Sequence, residues 1–151
     1  MLRQLIFLVY GAVASAVGVA EANDGGATTC ALSSIAYAQP TKSLSGWWYV
    51  NSDETIWAGW DAVRMSAGPG GNKVAWLRPK GTELMVSARR LDAQAPAAQV
   101  EIPCCYGGRF QASGLIFPSS GCWEVSAKAG SSKLTFVTLV APAIRTKDNA
   151  A

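Results

Sequence analysis

Between Trp47 and Pro142 the chain runs in short period-two segments, each closed by glycine, proline or small polar residues. Successive side chains of a strand point to opposite faces. Each such segment therefore has one side to bury and needs a partner sheet to bury it against. The clearest case is Glu83 to Arg89, where Leu84, Val86 and Ala88 share one face and Glu83, Ser87 and Arg89 the other. In a second case Trp123, Val125 and Ala127 alternate with Glu124, Ser126 and Lys128. Gln99-Val100-Glu101-Ile102 alternates until Pro103 stops it, and Phe110 to Phe117 is broken by Gly114. The aromatic run Trp47-Trp48-Tyr49-Val50, then Thr55-Ile56-Trp57-Ala58 and Lys73-Val74-Ala75-Trp76-Leu77, read as further strands. Ser66-Ala67-Gly68-Pro69-Gly70-Gly71-Asn72 is strong turn chemistry. Ala129-Gly130-Ser131-Ser132 reads as the hairpin turn before a final strand, Leu134 to Val140. Only Arg89 to Ala98 could be helical, and Pro96 argues against it. Turns recurring roughly every 8 to 12 residues predict an all-β sandwich of about seven or eight short strands.

The N-terminus has a different character. Arg3 precedes an uncharged apolar stretch from Leu5 to Ala20, which ends at the small-x-small site Ala20-Glu21-Ala22. This is the pattern of a secretory signal peptide over residues 1–22. The run is short for a membrane span, though an uncleaved anchor is the alternative. Ala27-Thr28-Thr29 before Cys30 is no lipobox. A second small-x-small site, Ala36-Tyr37-Ala38, lies far from the apolar stretch with Glu21 and Asp24 between, so Ala22 is preferred. The expected organisation is a signal peptide at 1–22, a flexible lead at 23–46, the sandwich at 47–142 and a flexible tail at 143–151.

Charge says little about partners. The 13 basic and 10 acidic residues give a net +3, and the basic ones are scattered. A nucleic-acid protein concentrates them on one face, so no nucleic-acid partner is expected. A membrane would be met only through an uncleaved signal peptide. The chain has no histidine. That removes the commonest general base near neutral pH, the histidine of nucleophilic triads and any imidazole zinc site. No GxSxG elbow, Ser-x-x-Lys or P-loop occurs. Asp53 and Glu54 are adjacent and would point to opposite faces of a strand, so they cannot converge as a glycosidase pair. The chain reads as no enzyme, with no cofactor.

An exported chain meets an oxidising compartment, so its four cysteines are disulfide candidates: Cys30, Cys104, Cys105 and Cys122. A bridge from Cys104 or Cys105 to Cys122 would close a short loop worth about 3 kcal/mol. Trp123 and Val125 face inward, which puts Cys122 on the outer face or at the strand's start, so the bridge would be a peripheral staple. A cut after Ala22 keeps Cys30, which could then join the Cys104-Cys105 pair while Cys122 takes the other. The alternative is a thiol-based redox or metal-binding protein using Cys104, Cys105 and Cys122, with a soft metal on three thiolates.

Two further groups could carry binding. Trp47, Trp48, Tyr49, Trp57 and Trp60 cluster in sequence. They read first as packing and second as an aromatic platform of a carbohydrate-binding module, with Asp53, Glu54 and Asp61 nearby. Arg78, Lys80, Arg89, Arg90 and Arg109 read as a solvated face, or as an anion site if the strands bring them together.

The last third carries a resemblance. Ser113 to Val125, with its Gly121-Cys122-Trp123-Glu124-Val125 segment, followed by Lys133-Leu134-Thr135-Phe136-Val137, looks like the closing hairpin of bacterial secreted immunoglobulin-like domains. It also resembles exported bacterial proteins of uncharacterised function that share a GCWEV-type segment. The resemblance implies an immunoglobulin-like β-sandwich and no activity, because sandwiches host many functions. A binding or structural role at the cell envelope follows as the expectation, with an unknown protein or glycan at the cell surface as partner.

Overall fold

The computed structural model describes residues 29–60, 64–104 and 106–143. They form ten strands and no helix: β1 Ala36–Thr41, β2 Leu44–Val50, β3 Trp57–Trp60, β4 Met65–Ser66, β5 Asn72–Leu77, β6 Leu84–Arg90, β7 Gln99–Glu101, β8 Phe110–Ile116, β9 Gly121–Ala129 and β10 Ser132–Ala141. Two sheets result, in the orders β1-β2-β3-β5-β8-β7 and β4-β10-β9-β6. Every named pairing is antiparallel except β4 with β10.

The period-two pattern sets which faces meet. On β9, Trp123, Val125, Ala127 and Ala129 are buried, and on β10 Leu134, Phe136 and Val140 are. They share one core with Tyr49, Ala58, Val74, Trp76 and Leu115 of the six-stranded sheet. Tyr49 stacks on Phe136 with ring centroids 4.1 Å apart, which joins the two layers directly. Two polar side chains enter this core as a satisfied pair: Trp76 Nε1 donates to Ser113 Oγ at 2.8 Å. Burial without that partner would carry a desolvation cost. The hairpin turn falls where the sequence places it, at Gly130 and Ser131 between Ala129 and its partner Ser132. Gly130 supplies the positive φ, 61°, that a two-residue hairpin turn needs.

Three expectations about elements need correcting. The boundary expected at Trp47 falls inside β2, and the segment expected to be a flexible lead contributes β1 and the start of β2. Residues of modest strand propensity are held there by backbone pairing, with Tyr37 opposite Trp47 and Ala36 opposite Trp48. Upstream, Ser33 N donates to Val137 O at 3.0 Å, and Val137 N donates to Ser33 Oγ at 2.8 Å. These bonds occupy part of the open edge of β10, where unpaired backbone would otherwise be exposed. Second, Gly114 does not break its segment: β8 runs through it, paired to Lys73 on one side and Glu101 on the other. Third, β3 starts at Trp57, because Thr55 and Ile56 are taken up by a turn. There Asn51 Oδ1 accepts the Thr55 and Ile56 amides, both at 3.0 Å. The signal peptide and residues 144–151 of the tail lie outside the described residues.

Candidate functional site

The cysteine pairing departs from the short-loop expectation. Cys122 is bonded to Cys30 across a sequence separation of 92, with an S–S distance of 2.03 Å. Cys122 alternates with the core residue Trp123 and lies opposite Leu139, so it sits on the outer face of the four-stranded sheet. It is nonetheless only 1% exposed. The short loop fails because Cys104 lies on the connection between β7 and β8, which belong to the other sheet. Cys104 is itself disulfide-bonded, and Cys105 lies outside the described residues. With Cys122 committed to Cys30, the three-thiolate arrangement of Cys104, Cys105 and Cys122 is not formed. Among the described residues no three His, Cys, Asp or Glu side chains group closely enough to hold a metal ion.

A small polar network braces the Cys122 end of the bridge. Arg90 Nε donates to Asp92 Oδ1 at 2.6 Å and Arg90 Nη1 to Ser119 Oγ at 3.1 Å. The Cys122 amide donates to Asp92 Oδ2 at 3.1 Å. The Arg90 hydrogen bond, then that amide, hold the Asp92 carboxyl below its ordinary pKa. The Arg90 guanidinium packs so close over Gly121 that a Cβ there would meet Arg90 Nε at 2.6 Å. Gly121 also has φ +140°, so the position excludes larger residues twice over.

The second organised region is the loop from Pro103 to Arg109, and the residue that organises it is Arg78. This arginine follows β5 and is 3% exposed. Its Nη2 donates to Tyr106 O at 2.7 Å and Gln111 Oε1 at 3.3 Å, and its Nη1 to Gly108 O at 3.2 Å and Pro79 O at 3.3 Å. Backbone bonding continues the clamp, with Arg78 N donating to Arg109 O at 2.9 Å. On the other side Gln111 Nε2 donates to Pro103 O at 3.0 Å. Among the described residues no carboxylate pairs with Arg78. Oriented carbonyl dipoles carry the compensation for its buried charge. Beside it opens a shallow hollow of about 610 Å³ reached by Arg78, Thr82, Ile102, Cys104 and Tyr106. Sequence reading placed Arg78 among solvated cations and missed this role. The one local cue was its position directly after the apolar run Val74 to Leu77.

The basic residues do not converge. Arg89 pairs with Glu124 at 2.8 Å and Arg90 with Asp92, both on the four-stranded sheet. Arg78 and Arg109 belong to the other sheet, and Lys80 is exposed in the turn after Pro79.

The aromatic cluster is divided by the pleat. Trp47, Tyr49 and Trp60 share the inward face; Trp48 and Trp57 share the outer one, where Trp48 lies opposite Gly59 and Trp57 opposite Val50. Trp48 and Tyr49 are buried. The indole of Trp48 lies on Gly59, where a Cβ would come within 2.6 Å of the ring. Trp57 is half-buried, and its Nε1 donates to Glu54 O at 2.9 Å. Trp60 packs near Tyr49 and Phe136. Trp47 alone of the five stays well exposed, at 46%, edge-on to Tyr37 at 5.6 Å. Tyr37 was not singled out from the sequence; only the β1–β2 pairing brings it to Trp47. Asp53 accepts Thr55 Oγ1 at 2.8 Å, and Asp61 lies outside the described residues.

A larger open groove of about 730 Å³ crosses the outer face of β5, β8 and β7, over Gly114 and between Lys73 and Glu101. A comparison with protein-family models and with curated proteins found no match.

Proposed function

We propose that this chain is an exported, non-enzymatic immunoglobulin-like module with a binding or structural role at the cell envelope. The observation that carries the reading is the Cys30–Cys122 bridge, which ties the segment after the apolar N-terminus to the four-stranded sheet. Disulfides form and persist where the surroundings are oxidising, which is compatible with work outside the cytoplasm. Two sheets around one core support the sandwich part of the reading. The bridge differs from that of antibody domains because it lies outside the sheet pair. On this reading the chain is cut after Ala22. A cut after Ala38 would divide β1 and remove Cys30, leaving the buried Cys122 without its partner.

Intact mass of the protein recovered from an extracytoplasmic fraction, before and after reduction, tests this. The reading expects a chain beginning at Asn23 with Cys30 bonded to Cys122. A chain retaining residues 1–22 in the membrane fraction, or one beginning at Gln39, would overturn it.

A second reading, a carbohydrate-binding module, keeps support from the exposed Tyr37–Trp47 pair alone. Titration of tryptophan fluorescence with soluble oligosaccharides checks it. Binding lost in Trp47→Ala would favour a sugar partner, and an unresponsive spectrum would remove this reading.

A further inference from the structure

The six-stranded sheet ends at β1, which pairs with β2 alone among the described strands. An edge strand presents a row of unpaired backbone N–H and C=O groups, a template for one more strand. The other open sides of this fold are guarded. β4 has two residues and β7 three. β6 carries the exposed Arg89, and Ala98 N already donates to Ala88 O at 3.2 Å. The open side of β10 is interrupted by Ser33 at Val137 and by β4 at Val140, and the strand carries the exposed Lys133. β1 has six residues and no charge. Pro40 and the register shift between Ala38 and Thr41 protect only its far half. We propose that the near half of β1 is a self-association edge: it pairs antiparallel with the same segment of a second copy, centred on Tyr37, and joins the two larger sheets into one.

The side chains at this edge argue for a second copy as the occupant. Trp47 shares its face with Tyr49 and Trp60, and Tyr49 packs into the core between the sheets. Tyr37 lies opposite Trp47. Yet Tyr37 is 65% exposed and Trp47 46%, because the larger sheet overhangs the smaller one here. A two-fold axis perpendicular to the sheet makes an antiparallel edge its own complement and keeps the same face of both copies on one side. With the axis at Tyr37, that residue meets its counterpart in the second copy. Ala36 then meets Ala38, Ile35 meets Gln39, and Pro40 stays outside the ladder. The two Tyr37–Trp47 pairs come together in the space below the joined overhangs, where aromatic rings gain contact. The segment from Ile35 to Gln39 is uncharged, so the axis sets no like charges against each other. A foreign strand would satisfy the same backbone but would not bring the matching aromatic pair.

So short a ladder gives a reversible dimer, with a Kd on the order of 100 μM. Sedimentation equilibrium of the purified full chain from about 10 μM to about 1 mM tests it. The expected result is an average mass that rises from one chain toward two and no further. Tyr37→Lys sets two ammonium groups across the axis and removes the ring contact, so it should weaken association about tenfold. Tyr37→Glu should do the same. Tyr37 is exposed, so both variants should keep the parental far-ultraviolet spectrum. An equal mixture of the two sets Lys against Glu at the axis and should restore association toward the parental level. The proposal is overturned if the parent stays monomeric up to about 1 mM, if Tyr37→Lys leaves the dimer intact, or if the mixture associates no more tightly than either variant alone. None of these outcomes depends on where the chain works, so the proposal can fail while the export reading stands.

Discussion

Replacing both Cys30 and Cys122 by alanine should lower stability by about 4.6 kcal/mol, the chain-entropy value for a loop of this size. The figure comes from the sequence separation of 92 between the two cysteines. A cross-link of that span removes many expanded conformations from the unfolded ensemble, so its loss stabilises the unfolded chain more than it alters the folded one. With roughly 110 ordered residues the unfolding entropy is about 0.23 kcal/mol/K, so the melting temperature should fall by about 20 °C. Urea unfolding followed by circular dichroism measures both the free energy and its dependence on denaturant. That dependence should steepen, because the unlinked chain exposes more surface on unfolding. The double substitution avoids leaving Cys122 as a lone buried thiol and leaves the bond at Cys104 untouched. A loss below about 1 kcal/mol with an unchanged urea slope would refute the argument that the bridge acts through the unfolded chain.

Three further substitutions probe the local arguments. Arg78→Lys keeps the charge but has no planar fork, so Tyr106 O and Gly108 O lose donors; a loss of about 2 to 3 kcal/mol is expected, with faster amide exchange across residues 103–109. Unchanged exchange there would show that Arg78 does not hold the loop. Gly59→Ala drives a methyl into the Trp48 ring, at 2.6 Å before relaxation. It should cost about 2 kcal/mol in urea unfolding and shift the tryptophan emission, and a variant as stable as the parent would refute the contact. Asp92 has a folded-state pKa held below its ordinary 3.8, so its contribution is present above that value and disappears as pH falls through the lower one. The stability gap between the parent and Asp92→Asn should therefore be full at neutral pH and close as the pH falls below 3.8 through the lowered folded-state value, and a gap that persists once the carboxyl is protonated in both states would contradict the assignment.

Local chemistry accounts for the parts of the fold that could be read in advance. Period two depends only on residue order, so the inward faces of β6 and β9 were legible from Leu84, Ala88, Trp123 and Val125. The Gly130-Ser131 turn and the stop at Pro103 were legible for the same reason. Strand β1 was not, because Ala36-Tyr37-Ala38-Gln39-Pro40-Thr41 has little apolar content of its own. Its order comes from pairing with β2 and from the bridge upstream. The aromatic cluster misled for a related cause. Nearness in sequence suggested one platform, but the pleat sends Trp48 and Trp57 one way and Trp47, Tyr49 and Trp60 the other.

What residue order determined by itself was the all-β character, most of the turns, the peripheral position of Cys122 on the outer face or at its strand's start, and the four-cysteine count. Each follows from neighbours along the chain. What only the tertiary structure decided was which distant residues meet. Cys30 finds Cys122 because its segment docks beside β10, and Arg78 is buried because the β7–β8 loop folds over it. Both contacts join segments far apart in sequence, and such meetings depend on how the sheets stack and not on any local preference.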